Sequence, residues 1–121
     1  MTRVICVGEC MVELRATGAD AFARAYAGDA YNTAVYLKRS LPEAQVQFLT
    51  ATGDDAMSRA MRKAWSAEGI DGALSFTVNG GSPGLYLIEN DARGERRFHY
   101  WRGNSAARRW FALLQDQGET V

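Results

Sequence analysis

The stretch "VQFLTATGDD", residues 46–55, runs directly into a segment where Ala56, Met57, Ala60, Met61, Ala64 and Trp65 recur at i, i+3, i+4 spacing. That period marks the apolar face of a helix, and the continuous apolar run ahead of it marks a buried strand. Asp54 or Asp55 supplies the helix N-cap, and Gly69 sits where a C-terminal glycine belongs. A buried strand followed so closely by an amphipathic helix is the unit of α/β architectures. A looser version of the pattern begins with "RVICVG", a β-branched run that reads as another buried strand. "FARAYAGDAYNTAVYLKRSL" then passes from an extended segment through Gly28 into a helix from about Tyr31 to Arg39. Asp29 is its expected N-cap, Ala30, Ala34, Leu37 and Leu41 fall roughly on one face, and Pro42 stops it. The order strand, extended segment, helix, strand, helix predicts a parallel sheet with covering helices.

Beyond residue 73 the pattern changes. "LSFTV", "GLYLIE" and "RRFHYWR" are three strand candidates, and "SAARRWFALLQDQ" is a short helical segment. Asn90, Asp91 and Gly94, between the last two strands, are hairpin residues. Pairing Glu89 with Glu95 sets Tyr86 opposite Phe98 and Gly84 opposite Tyr100. The two-residue period of a strand then gathers Tyr86, Phe98, Tyr100 and Arg102 on one face and Arg97, His99 and Trp101 on the other. A one-residue slip would destroy that relation. A planar guanidinium beside two phenol hydroxyls suits a carboxylate or a phosphate. A solvated rim position is the alternative for Arg102, and plain packing is the alternative for the tyrosines.

Gly28, Asp29 and Asn32 form a second candidate group. Glycine permits close backbone approach, and polar groups at a helix start can meet ligand hydroxyls; an ordinary capped helix is the alternative. Glu9 and Glu13 follow the first strand, where open α/β sheets place ligands, or else occupy a solvated loop. His99, the only histidine, falls on the face away from Tyr100 and reads as structural. "TGDD", residues 52–55, is explained by a capped turn.

The 121 residues, 47% hydrophobic and 23% charged, suit one modest domain or part of a larger one. Fourteen basic residues balance fourteen acidic ones, which argues against a nucleic-acid partner. No apolar run approaches a membrane span, and the N-terminal segment lacks the basic start of a signal peptide. Cys6 and Cys10 match no metal signature and read as reduced thiols of a cytoplasmic protein. The motifs GxxxxGK[ST], GxGxxG, the nucleophile elbow and HExxH are all missing.

Taken together, "VGECMVEL", "AGDAYNTAVYLKR", "TATGDDAMS" and "GLYLIENDARGERRFHYWRGNSAAR" resemble the N-terminal part of the ribokinase-like (PfkB-type) sugar kinases. The resemblance runs from residue 3 to about residue 110. Its glycine-asparagine block is common to many sugar kinases. The Tyr-Trp-Arg strand end is more particular to the branch acting on the sugar acid 2-keto-3-deoxygluconate. The resemblance implies an α/β Rossmann-like body with a small β-sheet lid, incomplete on the C-terminal side. Residues 1–121 would be the N-terminal part of the kinase domain, with lid strands at about 14–27 and 84–102.

Carried over by motif, Gly28, Asp29 and Asn32 would bind sugar hydroxyls, and Tyr86, Tyr100 and Arg102 would hold the acid, Arg102 facing the carboxylate. Glu13 would make a further hydroxyl contact. Many relatives have a Gly-Gly pair where this chain has Ala27-Gly28. The implied activity is ATP-dependent phosphorylation of 2-keto-3-deoxygluconate, with ATP and Mg2+ needed by the complete enzyme. Relatives carry a catalytic aspartate in a Gly-Ala-Gly-Asp turn, whose helix N–H groups stabilise the transferring phosphoryl group. That turn does not occur here, so the expectation is a substrate-side portion that is inactive alone, with no metal or nucleotide residues of its own. Its sheet would be left with an open edge and an uncovered apolar face. Homo-oligomerisation through the lid is a further expectation. The alternatives are a family member acting on fructose, ribose or a nucleoside, and a non-catalytic sugar-binding or dimerising module.

Overall fold

The computed structural model describes residues 2–118. In chain order it contains β1 (Arg3–Val7), β2 (Met11–Gly18), β3 (Ala21–Ala27), α1 (Asp29–Ser40), β4 (Gln45–Leu49), β5 (Ala51–Gly53) and α2 (Ala56–Ala67). There follow β6 (Phe76–Val78), β7 (Leu85–Asn90), β8 (Arg96–Trp101), a 3-10 turn at Ala106–Arg109 and α3 (Trp110–Gly118). β1 pairs with β4 and β5 with β6, both in parallel, while β3-β2-β7-β8 form a separate four-stranded sheet. The α/β body and its helices follow the expected order. "VQFLTATG" is divided, however: Ser75 enters at Thr50, taking the Thr50 N–H at 3.2 Å and donating to the Phe48 carbonyl at 2.6 Å. The run therefore changes partner halfway and becomes β4 and β5.

The core forms where α1 and α2 meet the parallel strands. Tyr31, Ala34 and Val35 come from α1, Met61 and Trp65 from α2, and Val46 and Phe48 from β4. Phe48 lies at the centre, 5.9 Å from the Tyr31 ring and edge-on to Trp65 at 5.1 Å. Burying rings of this size contributes about 2 to 3 kcal/mol each. A second cluster of Ala51, Val78 and Ala106, flanked by Phe76, Trp110 and Leu113, joins β5 and β6 to the C-terminal helical segment.

The expectations for α1 are corrected at three points. α1 begins two residues early, and Gly28, not Asp29, is its N-cap, with no side-chain cap bond. The backbone leaves β3 at φ +144°, a conformation open to glycine, and enters the helix at once. The buried stripe of α1 is Tyr31, Ala34 and Val35, because the Tyr31 ring is the group that reaches Phe48; Leu41 lies beyond the helix and is 52% exposed. β1 reads as a buried strand but is covered on one face alone, in keeping with the uncovered apolar face that the resemblance implies. Cys6 packs on the core, while Ile5 and Val7, on the other face, are 44% and 42% exposed; among the described residues β1 pairs with β4 alone.

The residues from Met11 onward do not form a loop. They enter β2, which pairs antiparallel with β3 and parallel with β7, so Glu13 is a strand residue. Glu9 remains in the short crossing between β1 and β2.

Candidate functional site

The chain crosses between the body and the four-stranded sheet beside the start of α1, and a cleft of about 440 Å³ opens there. One wall is the helix start: Gly28, Asp29, Ala30 and Asn32. A Cβ on Gly28 would lie 2.5 Å from the Glu9 carbonyl oxygen, so space as well as φ requires glycine. Asp29 sits in the first helical turn, where a carboxylate is favoured by the helix dipole, and its side chain is not consumed in capping. The Gly28 carbonyl accepts from the Asn32 N–H at 2.8 Å, which starts the helical ladder and sets Asn32 one turn above.

The opposite wall is one face of β7 and β8. Asp91 organises their turn by accepting from the N–H groups of Arg93 and Glu95 at 2.9 and 3.0 Å, and Gly94 takes φ +80°. The Asp91 N–H also donates to the Glu95 carbonyl, which tightens the loop. Glu89 accordingly pairs with Arg97, not Glu95, and Tyr86 pairs with Tyr100, not Phe98. The shift is two residues, so every side chain keeps its predicted face. The Tyr86 and Tyr100 rings stack with centroids 5.8 Å apart, and the Arg102 guanidinium lies 4.7 Å over Tyr100. Phe98 completes this wall. His99 and Trp101 lie behind it, with His99 Nε2 3.0 Å from Glu89 Oε1.

Gly84 keeps the corner open: a Cβ there would come within 2.7 Å of Glu9 Oε2 and 3.0 Å of the Arg102 Cβ. Among the described residues no carboxylate lies within ion-pair distance of Arg102. Its charge is therefore available to an incoming anion. The Tyr86 phenol is held well above the usual tyrosine range, first by burial and then by its hydrogen bond to Glu13.

The structure thus brings Gly28, Asp29, Asn32, Tyr86, Tyr100 and Arg102 to one cleft. Glu13 is not in its lining; it accepts the Tyr86 hydroxyl proton at 2.6 Å. Glu9, which the sequence places equally well in a solvated loop, lines the cleft and accepts from the buried Ser105 hydroxyl at 2.9 Å. Its position at the carboxyl end of a strand is the usable signal. Ser105 has no local signal, because β8's return to the body is what brings it to Glu9.

Among the described residues, no three His, Cys, Asp or Glu side chains cluster as a metal site would need. No helix there is long and apolar enough to cross a membrane.

An α/β body carrying a small separate sheet beside a helix start is the ribokinase-like fold. A fructokinase from Xylella fastidiosa, solved with bound ATP, superposes with a TM-score of 0.78 at 24% identity, over 87% of this chain and 32% of that one. The pfkB family carbohydrate kinase description matches residues 1–119, and the chain belongs to that family. It is 46% identical over 120 residues to the 2-dehydro-3-deoxygluconokinase of Dickeya dadantii strain 3937, spanning 98% of this chain and 38% of the relative. The enzyme of the same name from Escherichia coli strain K12 is 43% identical over 116 residues, 94% of this chain and 37% of the relative. The chain therefore spans less than two fifths of the length of these curated relatives.

Proposed function

We propose that this chain supplies the sugar-acid site of a kinase that phosphorylates 2-keto-3-deoxygluconate at the expense of ATP. The observation that carries the reading is Arg102. Among the described residues it has no carboxylate partner, it lies over the Tyr100 ring, and it shares one cleft with Tyr86, Asp29 and Asn32. In this reading the carboxylate takes the Arg102 end, where a planar fork gives the strongest contact. Asp29 and Asn32 receive sugar hydroxyls, and Gly28 lets the ligand approach the backbone closely. The sheet β3-β2-β7-β8 acts as the lid, excluding water from one side of the sugar while its stacked rings hold the chain of carbons in place. The names of the relatives, both kinases of this sugar acid (2-dehydro-3-deoxygluconate being another name for it), support the same substrate.

The general base is expected outside this chain, as are the groups that hold ATP and Mg2+. Among the described residues no three His, Cys, Asp or Glu side chains cluster, and the sequence has neither glycine-rich phosphate motif. A complete enzyme carrying these residues should phosphorylate 2-keto-3-deoxygluconate in preference to fructose, ribose and nucleosides. The chain alone should show no turnover. Preference for a neutral sugar, or transfer by the isolated chain free of contaminating kinase, would contradict the assignment.

A further inference from the structure

Glu13, Tyr86 and Tyr100 occupy one row across three strands, with Glu13 opposite Tyr86 in the β2–β7 register and Tyr86 opposite Tyr100 in the β7–β8 register. The Tyr86 hydroxyl donates to Glu13 Oε1 at 2.6 Å, the short separation of a charge-assisted bond. A phenol has one proton and its lone pairs. With that proton held on the Glu13 side, Tyr86 presents an acceptor to the cleft. It can receive a ligand hydroxyl, and it cannot donate to a ligand carboxylate. Tyr100 is differently placed: it is 52% exposed, and a guanidinium lies over its ring.

We propose that Glu13 is a positioning residue that fixes Tyr86 as an acceptor, so that Tyr86 reads a sugar hydroxyl and the carboxylate is left to Tyr100 and Arg102. The proposal rests on the sugar-acid reading given above and sharpens it. Glu13 acts through the phenol and does not touch the sugar itself. The polarity of the row also sets the direction in which the ligand lies. A carboxylate over Tyr86 would meet a lone pair with a second carboxylate behind it. At the Arg102 end it meets a cation.

The test is calorimetric titration of the chain with 2-keto-3-deoxygluconate for the wild type, Glu13→Leu, Glu13→Gln, Tyr86→Phe and the Leu/Phe double variant. Glu13→Leu and Tyr86→Phe should each weaken binding by about tenfold, the scale of one good hydrogen bond. The double variant should be no weaker than Tyr86→Phe alone, because the two residues act as one unit. Glu13→Gln keeps an oxygen acceptor and should stay within about threefold of the wild type. Carbon-13 NMR of the tyrosine ζ carbons gives an independent readout, since the last ring to ionise in alkali should move to lower pH in Glu13→Leu. Additive losses in the double variant would overturn the proposal by showing that Glu13 meets the sugar directly. So would an unchanged affinity in Glu13→Leu, or a loss in Glu13→Gln equal to that in Glu13→Leu. Failure of the wild type to bind would instead overturn the sugar-acid reading, and the NMR shift would then decide whether Glu13 holds the phenol proton.

Discussion

Cys10 is 3% exposed, and burial pushes its thiol up to about 12 from 9.0. Because the thiolate is the nucleophile, burial makes this cysteine inert. Iodoacetamide at pH 8 should label Cys6 in the native chain and spare Cys10, with both labelled in denaturant; mass spectrometry of the peptides reads the difference. The same shift links stability to pH. The folded state keeps the Cys10 proton where the unfolded chain releases it, so the contribution is complete below pH 9 and is lost as pH rises toward 12. Tyr31, raised from 10.0 to about 12 by burial, adds to the fall. A melting temperature that drops steadily over that range is expected, with a shallower slope in Cys10→Ala. Gly28→Ala combines positive φ with a 2.5 Å contact to the Glu9 carbonyl, and should cost about 1 to 3 kcal/mol in urea melts besides distorting the cleft. A loss under 0.5 kcal/mol, within the scatter of ordinary surface changes, would show that the backbone there relaxes.

The elements show how local chemistry chose among readings that the residue pattern left open. Either Asp54 or Asp55 could start α2. Asp55 does so by accepting the Ser58 N–H at 2.9 Å, while Asp54 accepts from the Gly80 N–H at 3.0 Å and ties down the turn after β6. Asp55→Ala should therefore cost about 1 kcal/mol of stability in a denaturant melt, as loss of an N-cap does. An unchanged midpoint would refute the assignment. The helical period of α2 was legible because Met61 and Trp65 both face the core. In α1 the same reasoning chose Ala30, Ala34, Leu37 and Leu41; Ala34 is buried and Ala30 and Leu37 pack against the core, but Leu41 is exposed and Tyr31 was missed, since a large ring can reach a core partner from a position that periodicity alone ranks no higher. The β7–β8 hairpin was legible in its faces and wrong in its pairing. Hydrophobic alternation cannot detect a two-residue shift, and the deciding bonds are those of Asp91 within the turn. The lid segment expected from about residue 14 begins earlier, at Met11, because β2 mixes Glu13 and Arg15 into an apolar run, and its pairing with β7 joins residues far apart in the chain.

In the molecule as a whole, one face of β1 carries Ile5 and Val7 with nothing packed over them, and the chain spans 38% of the Dickeya relative. The polar cleft nevertheless takes all its named walls from this chain, since the β8 return and the β1–β2 crossing meet through Glu9 and Ser105. Six of the seven residues singled out from the sequence line that cleft: Gly28, Asp29 and Asn32 are local to one helix start, and Tyr86, Tyr100 and Arg102 are gathered by strand alternation across the β7–β8 hairpin. Glu13 could not be placed by such reasoning; its partner lies 73 residues away. The central claim concerns what Arg102 awaits in that cleft. The direct measurement is calorimetric titration of the chain and of Arg102→Ala with 2-keto-3-deoxygluconate and with fructose. The prediction is preferential binding of the sugar acid, weakened by about tenfold or more in Arg102→Ala while fructose binding is unaffected. Equal affinity of both proteins for the acid, or equal losses for acid and neutral sugar, would contradict the carboxylate role.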